Sequence, residues 1–379
     1  MDQMQLNYLL ALWLIPQINP MLQKAILHQY ADLTDFFNLT EHELKHIGFK
    51  NELIKKIKHP DWNLVETIFQ WGQQPQQSII TFKDMTYPEQ LKQIDAAPIV
   101  LLARGNLDLL QFPQLAIVGS RNPTPTGLKI AKHYASCLAE QGLVITSGLA
   151  IGIDGMAHQG ALAATGKTIA VIGTGVDVLY PKHHAALSKE IIETGLVISE
   201  FPLGTPPRAL NFPLRNRIIS GLSLGTFVVE ASIRSGSLIT ARCALEQGRE
   251  VFAMPSSVHN PMAKGCHWLI KQGANLIESV EDIWQQIQQP MTKFHKNQVV
   301  NSKITTRQGL EFISVKPHIN QILTKSQLQL LEVIGFDTIS FQTLSEQISL
   351  NVEQLSVVLL ELELLGYVIR VPGGYQRQY

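Results

Sequence analysis

The chain has 379 residues, of which 45% are hydrophobic and 16% charged, and its formal net charge is zero. This composition favours a globular protein of two or three domains and excludes disorder as the default. Without a long apolar run, a signal-peptide pattern or cysteines at disulfide or metal spacing, the sequence predicts a cytoplasmic protein with no membrane span.

Charge is distributed unevenly along the chain. Residues 116–275 carry 14 Lys/Arg against 9 Asp/Glu, a net of +5, whereas residues 320–379 carry 3 against 6, a net of −3. Residues 1–75 have 6 against 8, a net of −2. If one part of the protein binds a polyanion, the middle is the electrostatic candidate.

Residues 1–75 predict a small helical domain, with helices at 25–30, 40–47 and 51–57. The last two, joined at Gly48, could form a helix-hairpin-helix that binds DNA phosphates. Because the region is acidic and holds one imperfect copy, we favour packing or partner contact over a DNA contact.

Residues 76–288 alternate apolar strands with amphipathic helices, which predicts an α/β domain with an extended Rossmann-like parallel sheet. The predicted strands cover residues 99–102, 115–118, 143–146, 168–172, 196–199, 226–229 and 251–254. The run from Gly160 to Thr168 resembles a Walker A loop, but it leads from a helix into a strand and has one residue too many between its glycines. We interpret it as a helix end and expect no ATP site.

The C-terminal part predicts a polar linker at 289–319 and then a winged helix-turn-helix at 320–379. Three short amphipathic helices are expected at 326–334, 341–348 and 352–365. A hairpin at 366–375 would supply the wing.

Three of the turns between the predicted strands and helices carry arginine, as an anion-binding loop requires. They are residues 116–123, 211–217 and 234–238. Parallel α/β sheets bind ligands beyond the carboxyl ends of their strands, where glycine lets backbone N–H groups approach phosphate. No Gly-x-Gly-x-x-Gly motif is present, and the strand ending near Ser147 has no acidic residue to hold a ribose. A phosphate-bearing ligand is therefore expected, and a nicotinamide dehydrogenase is disfavoured.

The segment 206–221 is the strongest candidate for nucleic-acid binding. It holds Arg208, Arg215 and Arg217 with no acidic residue, and Phe212 lies among them. Arginine forks suit phosphates, and an exposed aromatic ring can stack on an unpaired base. The alternative is that Phe212 is core and that Arg215 or Arg217 pairs with Glu230 or Glu200, and the spacing alone does not decide between the two.

Asp154, Glu200 and Glu230 are the possible catalytic carboxylates, but isolated acids near strand ends more often cap helices or pair with arginine. No Gly-x-Ser-x-Gly elbow or His-Glu-x-x-His motif accompanies them. We expect neither acid-base nor metal catalysis.

Several motifs together resemble the bacterial DNA-processing protein A (DprA/Smf) family. They are Ala-Ile-Val-Gly-Ser-Arg at 116–121, the glycine-rich runs at 146–158 and 173–181, Phe-Pro-Leu-Arg-Asn-Arg-Ile-Ile-Ser-Gly-Leu at 212–222, Val-Glu-Ala at 229–231 and Ser-Gly-Ser-Leu-Ile-Thr-Ala at 235–241. The resemblance runs in order from about 80 to 287. Pro255-Ser256 and Cys266-His267 depart from the family pattern.

The resemblance implies a non-enzymatic mediator that needs no cofactor or metal. Such proteins bind incoming single-stranded DNA during natural transformation, protect it and load the recombinase RecA; they act as homodimers, with single-strand-binding protein as a further partner. The DNA pocket implied here contains Gly119, Ser120, Arg121, Ser147, Gly148, Lys182, Arg208, Asn211, Phe212, Arg215, Asn216, Arg217, Gly236 and Ser237. Arg121 and Arg215 would contact phosphates, and Phe212 would stack a base.

Two alternatives are weaker. Nucleotide hydrolases of the lysine-decarboxylase-like type share the fold and carry Pro-Gly-Gly-x-Gly-Thr-x-x-Glu, but residues 221–230 lack the leading Pro-Gly-Gly and place three residues before Glu230. On a strand, that one-residue shift turns the carboxylate to the other face. A transcription regulator reading duplex DNA with its winged helix conflicts with the net charge of −3 there.

Overall fold

The computed structural model describes residues 2–164, 166–301, 324–334, 339–348, 352–364, 367–371 and 373–377. The chain divides into two compact units, Met1–Lys303 and Ile304–Tyr379.

Six helices open the first unit: α1 (Gln3–Trp13), α2 (Pro20–Gln29), α3 (Leu33–Asn38), α4 (Glu41–Ile47), α5 (Asn51–Lys58) and α6 (Trp62–Gly72). Thr40 and Glu43 form a capping box at the start of α4, and Gly48 ends it at φ 103°, a left-handed conformation that glycine adopts without a Cβ clash. The predicted helix pair around Gly48 is therefore present. The helices pack on the sheet domain, because Trp13 Nε1 donates to the Glu200 carbonyl at 3.1 Å and Lys24 Nζ to that of Lys92 at 3.2 Å.

A nine-stranded sheet follows, and it confirms the predicted Rossmann-like α/β domain. Its strands are β1 (Gln77–Thr81), β2 (Val100–Gly105), β3 (Gln114–Val118), β4 (Val144–Ser147), β5 (Thr168–Val171), β6 (Leu196–Ser199), β7 (Gly225–Val228), β8 (Glu250–Ala253) and β9 (Asn275–Leu276), in the order β1-β2-β6-β5-β4-β3-β7-β8-β9. The strands from β6 to β9 in this order run parallel, whereas β1 and β2 are antiparallel to their neighbours. The chain leaves β3 toward β4 on one side and later returns to its other side as β7. This reversal creates a crevice at the carboxyl ends of β3 and β7.

Eight helices belong to the sheet domain: α7 (Glu89–Lys92), α8 (Pro125–Glu140), α9 (Ile153–Ala164), α10 (Ala185–Thr194), α11 (Asn211–Leu222), α12 (Ser237–Glu246), α13 (Lys264–Lys271) and α14 (Val280–Asn301). Successive strand residues face opposite sides of the sheet. Leu115 and Ile117 accordingly join a core with α8, α9 and α14, while Ala116 and Val118 join one with α11, α12 and α13. The two cores cover both faces, so the strand-end loops are held on a rigid frame.

The second unit has the elements of a winged helix, as predicted. These are α15 (Lys325–Val333), α16 (Phe341–Gln347), α17 (Val352–Leu364), β10 (Val368–Val371) and β11 (Gly374–Arg377). The two strands form a hairpin, and a bridge between Ile339 and Tyr375 extends it. Leu330, Leu344 and Leu359 lie in the core of the unit.

The predicted linker at 289–319 overlaps the end of helix α14. Helix α14 continues through Pro290 to Asn301, so residues 289–301 are helical. The polar composition of this stretch concealed the apolar face that continues from Ile283 and Ile287 to the buried Phe294. The remaining residues of the predicted linker, 302–319, lie outside the described residues.

Candidate nucleic-acid interface

Four loops follow the carboxyl ends of neighbouring parallel strands, in the spatial order β5, β4, β3 and β7. They cover residues 172–184, 148–152, 119–124 and 229–236. Helix α11 begins beside them, because Asn211 Nδ2 donates to the Gly173 carbonyl at 3.1 Å and Asn216 Nδ2 to the Gly236 carbonyl at 3.4 Å. The predicted site segments are thus brought to one edge of the sheet.

Arg121, Phe212 and Tyr180 form a stack at this edge. The exposed Arg121 guanidinium lies 5.3 Å from the centroid of the Phe212 ring, and that ring lies 5.5 Å from the ring of Tyr180 at an interplanar angle of 38°. Phe212 is half-buried, and a Cβ on Gly173 would come within 2.9 Å of its Cδ1. Phe212 is therefore anchored by one side, neither a fully buried core residue nor a free side chain.

Other cations surround this stack. Lys182, in the 3-10 helix Lys182–His184, and Arg208, in the loop before α11, are both exposed. Arg234 is exposed as well, and the predicted contact set omitted it although the sequence places it directly before Ser-Gly-Ser at 235–237. Lys182, Arg208, Arg234 and Arg121 form no ion pair within 4.0 Å with any residue that the structure describes. Their charges are available to an anionic ligand.

Arg215 lies beneath the surface and does not fit the expected role of a phosphate ligand. Its side chain is 4% exposed and donates from one terminal nitrogen to the carbonyls of Gly148, at 2.7 Å, and Val171. Its Nε donates to Asn216 Oδ1 at 3.2 Å. Burial lowers the pKa of Arg215 to about 10, against the attraction of Asp154. The guanidinium instead ties the loop after β4 to the end of β5.

Asp154 is the acidic counterpart of Arg215 within the same loops. Its carboxylate accepts the Gly148 N–H at 3.1 Å. Burial raises the pKa of Asp154, while Arg215 and nearby backbone N–H groups oppose the rise. The N–H group of Gly148, a residue of the predicted DNA pocket, is therefore occupied inside the protein.

The serines of the predicted DNA pocket are engaged inside the protein as well. Ser120 N donates to the Glu230 carbonyl at 2.7 Å, and the fully buried Ser147 Oγ donates to the Ile117 carbonyl at 2.6 Å. Ser237 is 7% exposed, and its hydroxyl lies 2.7 Å from that of Ser235. By contrast, Gly236 is exposed, with open space around its Cα. Of this group, Gly236 has the exposure that a ligand contact requires.

Arg217 forms an ion pair with Glu200, which is one of the pairings that the sequence left open as an alternative to DNA binding. The two terminal nitrogens lie 2.6 and 2.5 Å from the two carboxylate oxygens, and the side chains are only 13% and 9% exposed. Bidentate pairs of this kind are geometrically specific. Because its charge is neutralised, Arg217 is unsuited to the DNA contact expected from sequence.

Glu230 stabilises the start of helix α8. Its carboxylate accepts from Thr124 N at 2.8 Å and from Thr124 Oγ1 at 2.6 Å. A Cβ on Gly127 would lie 2.5 Å from the Glu230 carboxyl carbon, so the helix approaches closely only because that residue is glycine. The contact joins the loop after β3 to the end of β7.

Neither a metal centre nor a membrane span is found among the residues described. No three His, Cys, Asp or Glu side chains are grouped so that they could hold an ion. No helix there is both long and apolar enough to cross a bilayer.

Fold and interface together define a class: a doubly wound α/β protein that presents unpaired cations and a half-buried aromatic ring at the carboxyl ends of its parallel strands. The chain belongs to the DNA recombination-mediator protein A family, which it matches over residues 78–288. A second match, to the DprA winged helix domain, covers residues 316–374.

Individual relatives agree with this assignment. Protein Smf of Escherichia coli K12 is 42% identical over 321 residues, covering 83% of this chain and 80% of that one. The X-ray structure of DNA processing protein A from Streptococcus pneumoniae has a TM-score of 0.66 and 39% identity, covering 74% of this chain and 97% of that one. A structure of DNA processing protein A from Helicobacter pylori, described for its single-stranded DNA binding mode, has a TM-score of 0.51 and 29% identity, covering 56% and 96%.

His158, on the α9 face behind these loops, makes stability depend on pH. It is fully buried, and because the Thr168 hydroxyl donates to the Ile145 carbonyl at 2.7 Å, that hydroxyl must accept from His158 Nδ1, also at 2.7 Å. Nε2 has no hydrogen-bond partner in the described structure. Burial, with smaller contributions from His184 and Arg215, lowers the pKa of His158 from 6.5 to about 3.

We therefore predict that the free energy of unfolding falls as the pH drops below about 6.5. In that range His158 is protonated in the unfolded chain but stays neutral in the native protein. Urea unfolding at pH 7 and near pH 5.5 should show a loss that is about 1 kcal/mol larger in the wild type than in His158→Gln. The exposed His183→Gln variant is the control and should keep the wild-type loss. Equal losses in all three proteins would contradict the assignment.

Proposed function

We propose that this protein is a recombination mediator that binds single-stranded DNA through the strand-end surface formed by Arg121, Phe212, Tyr180 and the neighbouring cations. The observation that carries the proposal is the exposed Arg121 guanidinium on the half-buried Phe212 ring. Family membership and the H. pylori relative described for single-stranded DNA binding support it.

The chemistry of the surface favours single strands. An aromatic ring can stack only on a base whose face is free, and stacking tolerates every base because each has a π-face. Lys182, Arg208 and Arg234 would hold the phosphates around this ring. Binding should therefore be strongly salt-dependent and weakly sequence-dependent.

Binding would exchange one arginine contact for a stronger one. An exposed cation–π contact is worth about 0.5 to 1 kcal/mol, whereas a hydrogen bond to a charged group contributes about 1.5 to 3 kcal/mol. The Arg121 guanidinium would leave the Phe212 ring for a phosphate, and a base would take its place on the ring. In the absence of DNA, Arg121 thus covers the face of the Phe212 ring on which a base would stack.

The candidate carboxylates support a mediator rather than a nucleotide hydrolase. Glu230 caps α8, Glu200 is paired with Arg217, and Asp154 is buried against backbone N–H groups. Each acid is occupied by a contact that maintains the fold. On the basis of family membership, we propose a homodimer that protects incoming strands in natural transformation and loads RecA, with single-strand-binding protein as a further partner.

The same substitution at Arg121 and at Arg217 should distinguish the exposed arginine from the paired one. Arg121→Gln should weaken binding of an oligo-dT strand roughly tenfold and reduce the slope of log affinity against log salt by about 0.7, because one phosphate contact is lost. Arg217→Gln should leave the slope unchanged but lower the free energy of unfolding by about 3 kcal/mol, because it leaves the buried Glu200 carboxylate without its ion-pair partner. Fluorescence anisotropy over a salt series and urea unfolding measure the two effects.

Phe212→Leu serves as the uncharged comparison. It should weaken binding with the wild-type salt slope, because a stacked base is lost and no phosphate contact is. A large drop in melting temperature with unchanged affinity would make Phe212 a core residue and remove the base platform. Hydrolysis of AMP that disappears in Glu230→Gln would favour the hydrolase instead.

The winged helix should contribute little to DNA affinity. Residues 1–303, which form a compact unit, should bind single-stranded DNA within a few-fold of the full chain, because the remainder contributes no net positive charge. Affinity at fixed salt and RecA filament assembly on strands coated with single-strand-binding protein should be measured on both proteins. A tenfold loss of affinity in a folded, dimeric truncated protein would show that the wing contacts DNA.

A further inference from the structure

A cavity of about 380 Å³ adjoins the proposed DNA surface. It is lined by α10, by the loop after β5 and by strand residues, and its apolar wall includes Leu149, Ile172, Val178 and Val197. The volume lies in the range of pockets that hold small ligands.

The cavity is continuous with the proposed DNA surface. Tyr180 lines it, and the same ring packs 5.5 Å from Phe212. Leu149 directly follows Gly148, whose carbonyl accepts from the buried Arg215. Its own backbone is left-handed at φ 56°, and its carbonyl accepts from His184 Nδ1 at 3.0 Å. One set of loops therefore shapes both the surface and the cavity.

Four charged side chains line the cavity, two cations and two anions, and three of them have partners. Both oxygens of Asp177 lie 2.9 Å from the Gly204 backbone nitrogen, and Lys189 pairs with Glu193 at 3.8 Å. Arg104, half-buried on β2, makes no side-chain hydrogen bond or ion pair with any residue the structure describes. A cavity with apolar side chains on one part of its wall and an unpaired guanidinium on another suits a base attached to a phosphate.

Resting on the proposed function, we propose that the cavity takes one unstacked base of the bound strand while Arg104 holds a neighbouring phosphate. The strand would pass from Phe212 over Tyr180, so that Tyr180 separates a base stacked on the surface from a base in the cavity. Val197 and Ile172 offer that second base apolar contact, which is how enzymes that extrude a base hold it.

Filling the cavity tests the proposal. Ser188, on the α10 side of the lining, is replaced by tryptophan in Ser188→Trp and by alanine in the matched control Ser188→Ala. The probe is an oligo-dT strand with one 2-aminopurine, moved stepwise along the sequence. In the wild type and in Ser188→Ala, one position should show a distinct fluorescence change on binding. In Ser188→Trp that change should disappear, and affinity should fall roughly tenfold.

Arg104→Gln tests the phosphate contact against Lys132→Gln, which removes an exposed cation on α8. Arg104→Gln should weaken binding roughly tenfold and lower the salt slope, whereas Lys132→Gln should bind like the wild type. The melting temperatures of all variants should stay near that of the wild type. If Ser188→Trp does not fold, Ala185→Trp fills the cavity from a second lining position.

Three outcomes overturn this inference. If Arg121→Gln and Phe212→Leu weaken binding but the cavity variants and Arg104→Gln do not, the DNA surface stands and the cavity is not part of it. If AMP alone binds in a manner that Ser188→Trp blocks, while strand binding is unchanged, the cavity is a mononucleotide site. If the wild type does not bind single strands at all, the proposed function fails first.

Discussion

Arg215 and Asp154 are opposite charges buried in the same loops, and each is satisfied mainly by backbone groups. Arg215 donates to the carbonyls of Gly148 and Val171, while Asp154 accepts the N–H group of Gly148. A Cβ on Gly148 would lie 2.6 Å from the Arg215 guanidinium. Only glycine therefore lets the backbone of this loop approach the guanidinium so closely. Removing either side chain would leave a buried backbone group without its hydrogen-bond partner, which costs about 1 to 3 kcal/mol. The two side chains thereby fix the loop after β4 against the end of β5 and the start of α9.

This buried frame explains why the exposed cations can be few. Asn211, Asn216 and Glu230 add hydrogen bonds that tie α11, the loop after β7 and α8 to the same edge. With the loops fixed, a ligand orders only the exposed side chains, and this lowers the entropic cost of binding. The arginine-rich sequence therefore divides into two roles: Arg215 and Arg217 hold the frame, while Arg121, Arg208 and Arg234 present charge to solvent.

The sequence predicted the sheet because its strands are apolar runs bounded by glycine turns, and all seven predicted runs correspond to strands. It also predicted which loops meet, since parallel strands bring their carboxyl ends to one edge. Which arginines are exposed was harder, because that depends on partners distant in sequence, such as Glu200 for Arg217. One local signal was available: Arg215, Ile218, Ile219 and Leu222 share the buried face of α11 at helical spacing. The cavity lined by Arg104 gave no sequence signal, because β2 and α10 meet only in the folded protein.

The most direct test of the account is an equilibrium comparison of one single-stranded oligonucleotide with the blunt duplex of the same sequence, across a series of salt concentrations. The account predicts tighter binding of the single strand at every salt concentration and a linear fall of log affinity with log salt, because phosphates and unpaired bases are both contacted. Equal affinity for the two forms, or binding of the single strand that is insensitive to salt, would contradict the assignment of the strand-end surface to single-stranded DNA.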